Sequence, residues 1–119
     1  MLRKRMLYLF VLIIVLIILS YVIGYVVAMK SEPYDFVVKF IRNNSYLYNN
    51  IGKLKRIQLT FFGYLIRYEG PHGYAEYKIS VEGEKAKGKV YVNIEKIAGI
   101  WEIIKANLIL NNGQTILLK

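Results

Sequence analysis

His72 stands in the turn Gly70-Pro71-His72-Gly73, with Glu69 and Glu76 as its nearest acids along the chain. A histidine beside a carboxylate is the simplest arrangement for moving a proton. In a Gly/Pro turn the same residue is ordinarily a solvated one, and that is the reading taken. Ser31, Ser45 and Ser80 have no neighbouring base that would make a nucleophile, and Ser80 falls on the polar side of a strand pattern. The segment Gly83-Glu84-Lys85-Ala86-Lys87-Gly88 has the glycines and lysines of a phosphate-binding loop. It lacks the strand–loop–helix order that such loops need, and it joins two strands. Cysteine is absent, which excludes disulfides, thiolate metal sites, iron–sulfur clusters and cysteine nucleophiles. With one histidine, multi-histidine metal sites are excluded as well. The residues therefore predict no catalytic group, no metal ligand and no cofactor, in a protein that is not an enzyme.

What remains is binding, and the elements that would position it. The 119 residues are 55% apolar yet 21% charged, because the apolar residues are unevenly spread. Residues 6–29 carry no charge, and all eight acids lie beyond them. The 22 residues 7–28 span roughly 33 Å as a helix, which matches a hydrocarbon core of roughly 30 Å. The 90 residues from Lys30 onward are too few to surround such a helix on every side. The division is thus an N-terminus at 1–6, a transmembrane helix at 7–29 and a domain at 30–119. Val26 and Ala28 have the small-residue spacing of a signal-peptidase site, but the apolar run is long and no polar stretch precedes that site, so an uncleaved signal-anchor is expected. Arg3, Lys4 and Arg5 precede the span and Lys30 alone closely follows it. The positive-inside bias puts the N-terminus in the cytoplasm and the C-terminal domain outside. Within the span, Ser20, Gly24 and Ala28 recur every four residues on one helix face. Such a stripe lets a second transmembrane helix, including that of a homodimer partner, approach closely; small residues are also simply common in spans.

The domain reads as α+β. Ser31 is placed to cap a helix starting at Glu32-Pro33, and Phe36, Val37, Phe40, Ile41, Leu47 and Ile51 follow at the spacing of one buried face. The helix is predicted over 33–50, with Asn43, Asn44 and Ser45 as a weak point and Gly52 as its stop. After Gly52 the period becomes two. Ile57, Leu59 and Phe61 alternate with polar residues, and Tyr64, Ile66 and Tyr68 resume on the other parity after Gly63, as a bulge would produce. Ala75, Tyr77, Ile79 and Val81 form the next alternation, then Val90, Val92 and Ile94. A last pair, about 101–110 and 114–118, is joined by Asn111-Asn112-Gly113, a strong hairpin signal. The prediction is a helix packed on an antiparallel meander of about five strands, with Trp101 in the core.

Net charge is +9, of which the domain holds +6. Lys53, Lys55, Arg56, Lys85, Lys87 and Lys89 could face anionic lipid headgroups or an acidic partner. Lysines on edge strands equally serve to block aggregation, and both readings stand. Nucleic acid is not expected, since no aromatic RNA-reading motif accompanies the charge. A type IV pilin subunit is excluded because residues 6–29 contain no glutamate.

Several motifs occur together in order: Ile51-Gly52, then Gly73-Tyr74-Ala75, a strand at 79–82, the loop Gly83-Glu84-Lys85 to Gly88, a strand at 89–92, and Gly99-Ile100-Trp101 leading into a final hairpin. This pattern, over roughly 34–118, resembles the cytochrome c oxidase complex assembly protein family, which is related to the small intermembrane-space subunit of the mitochondrial presequence translocase. The resemblance implies a non-enzymatic, chaperone-like assembly factor, anchored by one span, that acts by protein–protein interaction with membrane proteins. The N-terminus is too short for a mitochondrial presequence, so a prokaryotic homologue in the plasma (inner) membrane is expected. The alternative is a membrane-tethered module holding a small or lipid ligand between helix and sheet.

Overall fold

A computed structural model describes residues 2–119. The chain divides into two compact units, one ending at Lys30 and the other comprising Ser31–Lys119. The first unit is a single helix, α1 (Leu2–Met29). Leu, Ile and Val occupy every side of it, and from Leu7 to Leu19 each apolar side chain is exposed. A helix apolar all round has no face to give to solvent. This one is long and apolar enough to cross a membrane.

In the second unit the predicted helix is two helices, α2 (Glu32–Arg42) and α3 (Ser45–Ile51). The break falls at the weak point, and Asn44 explains it. Its side-chain oxygen accepts the Leu47 N–H at 3.0 Å, capping α3, while its Nδ2 donates to the Leu118 carbonyl at 3.1 Å. The residue thereby starts one helix and ties that corner to the far end of the chain. Ser31 occupies the cap position of α2 without a side-chain capping bond, and Pro33 supplies the entry. Val37, Ile41, Leu47 and Ile51 form the buried stripe. Phe36 and Phe40 do not fully join it. They sit half-exposed on the flank, lining a surface depression with Lys39, Asn43 and Asn44.

The sheet is an antiparallel meander of five strands in the order β1 to β5. These are β1 (Leu54–Glu69), β2 (His72–Gly83), β3 (Lys87–Ile97), β4 (Ile100–Leu110) and β5 (Thr115–Leu117). Alternation places Ala75, Tyr77, Ile79, Val81, Val90, Val92, Ile94, Ala106 and Leu108 in the core. α2 packs toward β4 and α3 toward β2 on this side. In β1, Leu59 pairs with Ile79 and Tyr64 with Tyr77, so Thr60, Phe61, Phe62 and Gly63 stand opposite Lys78 alone. This bulge returns Tyr64 and Ile66 to the face of Ile57 and Leu59 despite their opposite parity, as the sequence predicts. A Cβ on Gly63 would lie 2.7 Å from the Lys78 carbonyl, too close for any side chain.

The family-like motifs hold the two ends of the sheet. At one end Gly73 leaves room for Trp101, which is 7% exposed and meets Tyr68 edge-on at 6.3 Å. At the other end the turn after β2 locks onto the α3–β1 connection. Lys85 N–H donates to Ile51 O at 2.8 Å, and Glu84 N–H to Lys53 O at 3.0 Å. A Cβ on Gly83 would fall 2.2 Å from Ile51 O, so only glycine permits the lock.

Candidate interaction surfaces

The loop with phosphate-like composition is occupied by its own chain. Its exposed-looking N–H groups at Glu84 and Lys85 are spent on the α3–β1 carbonyls, and a phosphate cradle needs those groups directed outward. The His72 corner is built differently. Glu69 and His72 are strand partners flanking a two-residue turn, and with Arg67, Tyr74 and Glu95 they line a depression of about 190 Å³. Glu76 is turned to Tyr74, whose hydroxyl donates to its carboxylate. That bond holds the Tyr74 proton and raises its pKa above the usual tyrosine value. His72 is exposed, and no group of three His, Cys, Asp or Glu side chains suited to a metal ion occurs among the described residues.

The six basic residues separate into two sets. Arg56, Lys87 and Lys89 surround one depression of about 280 Å³ on the helix-free side of the sheet, with Gln58, Ser80, Glu82 and Asn111. Arg56 pairs across the strands with Glu82, which pairs in turn with Lys87, and Lys89 pairs with Ser80. The charges are partly compensated. Lys87 Nζ is 3.6 Å from Glu82 Oε1, and Arg56 Nη2 donates to Gln58 Oε1 at 3.1 Å. Lys53, Lys55 and Lys85 lie outside this cluster. Lys53 precedes β1, Lys55 is the extra residue where the β1 register shifts between Leu54 and Arg56, and Lys85 belongs to the turn. All three are exposed at the same end of the sheet.

On α1, Ser20 and Gly24 are exposed and Ala28 is 4% exposed, so the small-residue stripe is open over its first two positions. No signal in the sequence separates these states.

A site between helices and sheet is already filled. Val37, Ile41, Ile51, Ile79, Val90 and Val92 have no exposed surface there. Tyr77 occupies the same side, with its ring 5.6 Å from that of Tyr34. Burial pushes its hydroxyl up to about 12, with the Ser31 hydroxyl opposing the shift.

A helix of membrane-crossing length followed by a small helix-on-meander domain places the chain among α+β proteins with a candidate membrane span. Within that class, a family model described as cytochrome oxidase complex assembly protein 1 matches residues 5–119. The chain belongs to this family of assembly factors. No curated protein and no solved structure matches it significantly.

Proposed function

We propose that this protein is a single-pass, non-enzymatic factor that assists assembly of a respiratory oxidase, its 30–119 domain held outside the plasma membrane and binding other membrane proteins there. The extent of the family match carries this reading, because it runs through α1 and the whole of the domain. An assembly factor acts by holding its partners. Partner contact is assigned to the exposed positions of the span stripe, Ser20 and Gly24, and to the basic end of the sheet. In lipid, small residues are what let helices approach, since apolar tails already satisfy Leu and Ile.

Two measurements test the reading. A reporter fused after Lys119 should read out on the extracytoplasmic side; a cytoplasmic signal would overturn it. The full-length protein purified in mild detergent should carry a defined set of membrane proteins. Gly24→Leu should weaken their recovery without lowering membrane levels, while Ile17→Leu serves as the control. Recovery of lipid or a small molecule in place of proteins would favour the tethered ligand-binding module.

A further inference from the structure

The last strand covers only part of its neighbour. β5 stands at the end of the strand order and pairs with β4 over Asn107, Leu108 and Ile109. Among the described residues no strand lies beside residues 100–106 of β4 on that side. A strand edge without a neighbour leaves the N–H and C=O of alternate residues open to pairing with another chain. Two of these carbonyls have makeshift partners. Ala106 O accepts the Leu118 N–H at 2.9 Å, where β5 has already ended. Ile103 O accepts the Lys119 ammonium at 2.6 Å in place of a strand N–H. Sheet edges are guarded by lysine, proline or a bulge. A bulge is present here, yet its extra residue is Ile104, which falls between the pairs Asn93–Lys105 and Ile94–Ile103 and is 52% exposed. Ile100 on the same stretch is 66% exposed.

The helix layer supplies a receptor for side chains beside this edge. α2 packs toward β4, and its outer flank carries the depression of about 400 Å³ lined by Phe36, Lys39, Phe40, Asn43 and Asn44. Asn44 also donates to Leu118 O, and Leu118 donates to Ala106. The depression therefore borders the chain at the point where the β4 edge becomes open. Lys39 is drawn to Asp35 at 3.0 Å, which leaves the two phenylalanine rings as the apolar wall. A strand laid on β4 would turn alternate side chains toward this helix layer.

We propose that residues 100–106 of β4 take up an extended segment of a partner protein as an added strand, its apolar side chains turned to Phe36 and Phe40. Main-chain pairing supplies the affinity in such additions, and pockets for alternate side chains supply the selectivity. The occupant is a strand with apolar residues at every second position. A helix or a lipid chain would leave the ladder groups unpaired. Lys119 holds the Ile103 carbonyl until the incoming strand displaces it. The proposal rests on the reading of this domain as one that binds proteins, and it names the form in which a partner is held. Its probe is an acetylated, amidated heptapeptide alternating valine and threonine, added to the full chain in mild detergent and followed by amide hydrogen exchange. At saturation the outward N–H groups of residues 100–106 should exchange about tenfold more slowly. The fully N-methylated peptide keeps the side chains, lacks the donors and should protect nothing. Lys119→Ala frees the Ile103 carbonyl and should lower the peptide concentration for half protection severalfold; an unchanged value would overturn the role of Lys119. Protection by both peptides, or by neither, would overturn strand addition. If membrane proteins are still recovered with the chain in that case, the edge alone falls and the proposed function stands. Protection by the first peptide with no membrane protein recovered would uphold the edge and overturn the proposed function.

Discussion

The two faces of the sheet use the same strands for opposite purposes. Along β2, Ala75, Tyr77, Ile79 and Val81 are at most 2% exposed, while the intervening Tyr74, Glu76, Lys78, Ser80 and Glu82 point to the helix-free side. Stability is concentrated in the first set, where packing density leaves no room for change. The second set holds charge, hydroxyls and the depressions around Arg56 and His72. A partner surface can thus be altered residue by residue without disturbing the fold, because a strand separates the two functions by a single position.

Substitutions on the packed side should break the molecule, with Trp101→Ala as the largest effect. Truncating a buried tryptophan costs roughly 3–5 kcal/mol, a large share of a typical total of roughly 5–15 kcal/mol. Thermal unfolding of the full chain in detergent should shift sharply downward; an unchanged midpoint would place Trp101 at an interface. Tyr77 gives the next effect, and it depends on pH. Its hydroxyl is raised from 10.0 to about 12 in the folded state, so the unfolded chain loses its proton first. Stability is complete below pH 10 and declines as pH rises through 12, by roughly 2–3 kcal/mol. Tyr77→Phe should flatten that decline in denaturant titrations, whereas an equal decline would assign it to other groups. Asn44→Ala removes a helix cap worth roughly 1 kcal/mol together with the Leu118 tie, and should lower the urea midpoint modestly. Smallest is the double change Arg56→Gln, Lys89→Gln on the helix-free side. Stability should stay within about 0.5 kcal/mol, while recovery of membrane partners falls. A loss of stability here would remove the contrast between the faces.

Much of this architecture is legible in the residues. Alternation fixes the strands, and the parity switch around Gly63 reveals the bulge. The Asn112-Gly113 hairpin also forms, although Leu110 and Gln114 enclose three residues and only Gly113 (φ 90) is left-handed. The turn at Ala98-Gly99 is harder to read. Ala98 adopts φ 52, a conformation that alanine seldom takes, so the strands on either side impose it and local preference does not. The helix break was visible only as a weakness, because the bond that fixes it comes from Leu118. Phe36 and Phe40 fit an apolar period yet lie on its margin, since a stripe wider than the sheet contact leaves its edge residues half-covered. The basic cluster was legible as composition alone. Which three of the six residues converge depends on strand register, and a one-residue irregularity at Lys55 is enough to divert it.

The tie between Asn44 and Leu118 has a consequence in time. Every strand pairs with its neighbour in the chain, so the hairpins close with short loops and form early. The Asn44–Leu118 bond instead joins positions 74 apart, and Leu118 is buried and donates its N–H to Ala106 at 2.9 Å. The corner where α2 meets α3 is therefore fastened only after β4 and β5 have closed on each other and brought Leu118 back to it. A domain whose strands pair locally thus depends, for the junction of its helices, on the contact that is slowest to find.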